Sequence, residues 1–257
     1  MGIDRRKFLT LAGLTVATAV GKKTLGDSMI DHKSNMMPKD ESLVGKRWAM
    51  VIDVKKCLHK EGCTVCMDAC HHIHNVPDFG NKKDEIKWIW KEPFEHALPE
   101  NESHYLKEEY KESDVIVMCN HCDNPPCVQV CPTQATFKRE DGIVMMDMHR
   151  CIGCRYCVAG CPYGSRSFNW RAPRPFINEM NPEYPTRERG VVEKCNFCAE
   201  RLAVGLQPSC VEACPEKALH FGDLEDPDSD VRQILKDNFT IRRKPGLGTS
   251  PQVYYLV

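Results

Sequence analysis

The feature that most constrains this chain is its sixteen cysteines, which fall into four groups of four. Group one is Cys57, Cys63, Cys66 and Cys70, spaced C-x5-C-x2-C-x3-C. Group two is Cys119, Cys122, Cys127 and Cys131, spaced C-x2-C-x4-C-x3-C-P. Group three is Cys151, Cys154, Cys157 and Cys161, spaced C-x2-C-x2-C-x3-C-P. Group four is Cys195, Cys198, Cys210 and Cys214, spaced C-x2-C-x11-C-x3-C-P. The grouping, more than the count, carries the argument.

Group three has the spacing of the bacterial ferredoxin run, which binds [4Fe–4S] clusters. Cysteines three apart on a tight loop can aim their sulfurs at three corners of one cubane. The fourth corner faces away, so the last cysteine, about a helical turn further on, reaches a second cluster. Pro132, Pro162 and Pro215 stop that turn and redirect the chain. Cys70 is followed by His71 instead, so group one departs from the pattern. Other cysteine chemistries fit less well. Disulfide frameworks belong to much shorter chains and do not favour repeated C-x2-C pairs. Zinc sites use C-x2-C but rarely runs of four ending in Cys-Pro. Covalent haem needs C-x-x-C-H; here Met67, Asp123, Arg155, Val158 and Ala199 stand where the histidine is required. The expected cofactors are four [4Fe–4S] clusters.

The groups then exchange their fourth ligands in pairs. Groups two and three are close in sequence and pair, which leaves groups one and four. The expected ligand sets are Cys57, Cys63, Cys66 and Cys214 for cluster 1, and Cys195, Cys198, Cys210 and Cys70 for cluster 2. Cluster 3 takes Cys119, Cys122, Cys127 and Cys161; cluster 4 takes Cys151, Cys154, Cys157 and Cys131. The alternative, each group closing on its own cluster, is difficult for the short C-x2-C-x2-C loop.

The start of the chain points to export. Arg5-Arg6-Lys7 precedes an apolar stretch from Phe8 to Val20, and Ala17-Thr18-Ala19 suits a cleavage site. That stretch is shorter than the ~20 residues a spanning helix needs. Arg5-Arg6 before Lys7-Phe8-Leu9 has the form of a twin-arginine signal, a route for folded cargo. Residues 1–20 are therefore expected to be the signal, either cleaved or kept as an anchor, and 21–46 a polar linker. A net charge of −1 gives no basic field for nucleic acid.

The chain also repeats itself. Val51-Ile52-Asp53 before Cys57 resembles Met145-Met146-Asp147 before Cys151: a strand ending in Asp, then a cluster loop. Cys131-Pro132 to Phe137 echoes Cys214-Pro215 to Phe221, a helical turn leading into a short strand. The expected fold is α+β, two ferredoxin-like two-cluster modules, one nested within the other, with long loop insertions. Residues 47–118 plus 190–257 form the outer module with a C-terminal tail, and 119–189 the inner one. The insertion from Asn75 to Met118 carries Trp88 and Trp90, which suit a partner surface and a core equally. His71, His72 and His74 after Cys70 read as loop residues more readily than as modulators of a cluster.

The four motifs in this order resemble the four-cluster ferredoxin subunits of membrane-associated respiratory complexes, such as dimethyl sulfoxide, polysulfide and tetrathionate reductases. Within that family, the stretches Cys119–Cys127, Met148–Cys157 and Ser167–Arg171, with the C-terminal Arg242–Pro245 and Pro251–Tyr255, look closer to the DsrO type. That is the exported ferredoxin subunit of the DsrMKJOP complex of sulfate reducers. The family's arrangement implies the same nested pairing of groups. The resemblance implies a quinone-interacting integral membrane subunit and a multihaem cytochrome c as partners, on the periplasmic or extracytoplasmic face of the cytoplasmic membrane. The alternative partner is a molybdopterin catalytic subunit. The expectation is an electron-transfer subunit in dissimilatory sulfur metabolism, with no catalytic site, small-molecule substrate or nucleic acid. A radical enzyme's C-x3-C-x2-C is absent, because Ile73 follows Cys66 and Cys70 where its third cysteine would stand.

Overall fold

The computed structural model describes residues 42–101 and 105–257. The twin-arginine stretch and nearly all of the 21–46 linker lie outside the described residues.

In chain order, β1 (Trp48–Asp53) runs through α1 (Val54–Leu58) into α2 (Val65–Ile73). Next come β2 (Ile89–Pro93), α3 (Phe94–Ala97), α4 (Glu108–Lys111) and β3 (Asp114–Met118). The middle of the chain forms α5 (Pro126–Gln129), β4 (Thr136–Lys138), β5 (Val144–Met146), α6 (Tyr156–Ala159), β6 (Ser167–Phe168) and β7 (Val192–Glu193). The last part forms α7 (Ala199–Leu202), α8 (Ser209–Ala213), β8 (Leu219–Asp223), α9 (Asp230–Asp237), β9 (Thr240–Ile241) and β10 (Val253–Leu256). Small sheets and short helices fit the α+β expectation.

Strands far apart in sequence share the main sheet, ordered β8-β1-β10-β9. β1 pairs antiparallel with β8, with Met50 opposite Phe221 and Ile52 opposite Leu219. On its other edge β1 pairs parallel with β10, with Met50 opposite Val253. The segment expected as a tail is thus a strand inside the sheet, and Val253 and Tyr255 are fully buried. Every residue of β1 is buried, as a strand covered on both faces must be. The middle of the chain makes its own antiparallel pair, β4 with β5. Helix α2 packs against α8, and α5 against α6.

The Asn75–Met118 insertion is part of the core. β2 and β3 pair antiparallel, and Trp88 and Trp90 are almost wholly buried. Trp88 stacks on His74 at 4.3 Å and donates its indole N–H to Glu193 (2.9 Å). Glu193 also pairs with Arg187 at 2.5 Å, and both side chains are buried. A buried pair like this needs further hydrogen bonds to offset the loss of water. Asn169 donates to Glu193, and Arg187 donates to the carbonyls of His74 and Asn75.

Among the described residues, no helix is long and apolar enough to cross a membrane.

Candidate metal centre

Local chemistry shapes each cysteine loop. Asp53 ends β1 and caps α1, its carboxylate accepting from the Lys56 amide at 3.0 Å. Asp147, one residue past β5, likewise accepts from the amides of His149 and Arg150. The repeated aspartate is therefore a capping device that starts the turn into each loop. Residue 121, between Cys119 and Cys122, adopts a left-handed conformation, as do Gly153 and Arg155 in group three and Phe197 and Cys198 in group four. These reversals curl the backbone within each loop. Gly153 has no substitute there: φ is +71°, and an added Cβ would lie 2.5 Å from the Gly190 carbonyl oxygen.

The prolines act one step earlier than a plain helix stop. α5, α6 and α8 end at Gln129, Ala159 and Ala213, before the Cys-Pro pairs. A proline disfavours helix in the residue before it, and Cys214 is extended (φ −68°, ψ 111°). After Cys131-Pro132 and Cys214-Pro215 the chain makes a tight turn through a left-handed residue, Gln134 or Lys217, and not the helical turn expected from the repeat. The turn folds an amide back onto the cysteine: Thr136 donates to Cys131 Sγ at 3.5 Å and Ala218 to Cys214 Sγ at 3.3 Å. In group one no proline intervenes, and α2 runs on through Cys70 to Ile73.

None of the sixteen cysteines is in a disulfide. Their electrostatic neighbours cross the sequence groups. Burial pushes the Cys57 thiol up, with Cys214 and Cys63 adding to the effect. Cys66 is pushed up to about 12, by burial and then by Cys57, Cys214 and Cys63. Burial raises Cys210, helped by Cys198, Cys70 and Cys195, and Cys66 of the preceding set is also within reach. Cys195 is raised by burial, then by Cys70 and Cys119. Cys122 rises to about 12 through burial and Cys119, with Cys127 and Cys161 contributing less. Cys157 is raised by burial, with Cys151 and Cys131 among its like-charged neighbours.

Exposure divides these cysteines. Cys70, Cys195, Cys198 and Cys210 are all buried, as are Cys119, Cys122 and Cys127, and also Cys66 and Cys157. Cys57, Cys63 and Cys214 are partly exposed, and so are Cys131, Cys151, Cys154 and Cys161.

The donor set suits iron–sulfur clusters on physical grounds. Sixteen soft sulfur donors sit in four loops, and several accept backbone N–H groups. Two deeply buried cations, Arg166 and Lys194, lie among the cysteines with no carboxylate within ion-pair distance among the described residues. Such cations call for anionic neighbours, which thiolate-bound clusters supply.

Cysteine spacing picked out the sixteen cysteines as candidate ligands, but not their surroundings. His74 is no loop residue. It caps α2 in a buried site, donates through Nδ1 to the Cys70 carbonyl (2.8 Å) and lies 3.5 Å from Cys70 Sγ. Its Nε2 meets Glu200 at 2.8 Å. Burial opposes the charge on His74, but Cys70 and its other partners outweigh burial and hold its pKa well above the usual value. His72 stays half-exposed near Glu179, whereas burial lowers the pKa of His71. His121 is fully buried, stacked on Phe197 at 3.7 Å, and accepts from the Val144 amide. The sequence signal for Lys194 is a cation directly before a ligand, Cys195; Arg166 carries none.

The comparisons agree with this chemistry. Residues 115–174 and 180–224 match the family of 4Fe-4S dicluster domains. The chain is 40% identical to an Hdr-like menaquinol oxidoreductase iron-sulfur subunit 1 of Archaeoglobus fulgidus, over 98% of this chain and 97% of the relative. It is 38% identical to the menaquinone reductase iron-sulfur cluster-binding subunit of Nitratidesulfovibrio vulgaris, over 82% and 88%. It is 36% identical to a tetrathionate reductase subunit of Salmonella typhimurium, over 100% and 89%. Sulfur donors in ferredoxin-type loops, matched over the full chain, make this protein a member of the 4Fe–4S ferredoxin family of iron–sulfur electron-transfer subunits of oxidoreductase complexes.

Proposed function

We propose that the chain holds four [4Fe–4S] clusters in the crossed ligand sets and relays electrons from one surface of the protein to another. The clusters supply one-electron carriers that form and break no bond. One observation carries the reading: each proposed end set has three partly exposed cysteines (Cys57, Cys63 and Cys214; Cys131, Cys151 and Cys154), the two middle sets have Cys161 alone, and the sets adjoin in order. Cys66 reaches Cys210, and Cys195 reaches Cys119. Arg166 lies between Cys127 and Cys157. The protein's part is to hold the sulfurs, exclude water from the middle sets and donate N–H groups to the ligands. Two nested modules, 47–118 with 190–257 around 119–189, accord with β1 pairing to β8 while β4 pairs to β5.

The partner we propose is a quinone-interacting integral membrane subunit, with a multihaem cytochrome c beside it, on the extracytoplasmic face after twin-arginine export. The names of the Archaeoglobus and Nitratidesulfovibrio relatives, a menaquinol oxidoreductase and a menaquinone reductase subunit, support the quinone side. The DsrO type, serving sulfate reduction, is the specific assignment. The tetrathionate reductase relative keeps a second reading open, in which the partner is a molybdopterin subunit. Purification of the native complex from membranes tests this. A quinone-interacting membrane protein and a cytochrome c should co-purify; a molybdopterin subunit in their place overturns the assignment.

A further inference from the structure

Arg166 is placed where two cluster sites meet. It directly precedes β6 and is only 4% exposed. One arm of its guanidinium donates to Cys127 Sγ at 3.0 Å. The other donates to Thr136 Oγ1 at 3.0 Å, at the start of β4, and lies 3.9 Å from Met146 Sδ at the end of β5. Cys157 lies in the same buried cluster as Cys127, and the charge of Arg166 works against the burial that raises the Cys157 pKa. Cys127 belongs to group two and Cys157 to group three, so the two thiols serve different clusters whether the groups cross or close on themselves.

The charge on Arg166 is permanent, because a guanidinium does not lose its proton in proteins. Among the described residues it has no carboxylate partner. An isolated buried cation is costly. The anionic groups that offset it are the cluster ligands. Burial works against the guanidinium, but Cys127, Cys119 and Cys157 outweigh it and raise its pKa further. Lys194 adds a second buried cation beside Cys119 and Cys195, donating to the carbonyls of Val144 and Cys195.

A cluster gains one negative charge when it takes up an electron. A fixed cation against its ligand stabilises that form more than the oxidised one, and hydrogen bonds to the sulfur act in the same direction. One cation touching two clusters therefore moves both reduction potentials together. Because both shift in the same direction, the difference between them, which drives the hop, changes less than it would with a charge on one side.

We propose that Arg166 is the shared counter-charge of the two clusters bound by Cys127 and Cys157, raising both of their reduction potentials. The proposal rests on these loops holding clusters, which the iron and sulfide content of the unsubstituted protein tests separately.

The experiment is a redox titration of anaerobically purified, cluster-loaded protein, followed by electron paramagnetic resonance. The unsubstituted chain is compared with Arg166→Met and Arg166→Lys, with iron counted in each. In Arg166→Met, two of the four clusters should become harder to reduce, each by about tenfold in its reduction equilibrium, or about 59 mV for one electron. The other two should stay in place. Arg166→Lys retains the charge and should restore most of the shift. If Arg166→Met instead loses those two clusters while Arg166→Lys keeps all four at unchanged potentials, the counter-charge stands, since charge is then what the clusters need. Unshifted potentials in Arg166→Met, a shift in one cluster alone, or equal loss of iron from both variants overturns the proposal. Equal loss would mean that the shape of the side chain, and not its charge, is what matters.

Discussion

Glu193 receives an indole N–H from Trp88, an amide N–H from Asn169 and the guanidinium of Arg187, three contributions from three remote segments. All of these partners are buried, so the carboxylate's charge is balanced only while each stays in place. Removing one partner of such a pair costs about 3–5 kcal/mol, because the other charge is left uncompensated. Arg187→Ala should therefore sharply lower the temperature at which the cluster absorbance bleaches. Glu212→Ala removes the partner of Arg201 at a half-exposed site, and surface pairs contribute only about 0–1 kcal/mol. It should leave the bleaching temperature almost unchanged. At this scale the sequence was only half legible. The sixteen candidate cysteines could be read because C-x2-C spacing is a local property. His74, Glu200, Arg166 and Glu193 could not, because their roles arise from contacts such as His74 with Glu200, 126 residues apart.

Elements repeat the same division. The strand-Asp-loop signal of β1 and β5 was visible in the sequence, since the Asp both ends the strand and caps the turn. The turn after each Cys-Pro was misjudged as helical, because nothing local announces the left-handed Gln134 and Lys217. β10 was missed altogether. Four residues carry too little periodicity to announce a strand, and the pairing partner, β1, lies some two hundred residues earlier. Yet β10 pairs with β1 from Met50 to Asp53 along one edge. Val253→Ala should cost about 2 kcal/mol, in the range of large-to-small core changes, and lower the bleaching temperature accordingly. Phe239, 80% exposed just before β9, offers the control: Phe239→Ala should stay within about 0.5 kcal/mol of the parent. Equal effects of the two substitutions would mean that β10 does not support the sheet.

On the scale of the whole molecule, a folded interior that must be loaded with clusters suits an export route for folded cargo. Changing Arg5-Arg6 to Lys-Lys should strand cluster-loaded protein in the cytoplasm, as cell fractionation with iron counting would register. Unaltered localisation of that variant would remove the twin-arginine assignment without touching the metal sites. In the crossed arrangement we propose, those sites would bind remote parts of the chain to one another, the Cys57 set closing through Cys214 and the Cys195 set through Cys70. Neither the first nor the last third should then keep its clusters alone. The most direct test of this crossed ligation is an anomalous-scattering map at the iron edge from anaerobic crystals of the loaded protein. Crossed ligation predicts four cubanes, with Cys214 ligating the cluster of Cys57, Cys63 and Cys66, and Cys70 the cluster of Cys195, Cys198 and Cys210. A map with Cys57 and Cys70 on one cluster would contradict it.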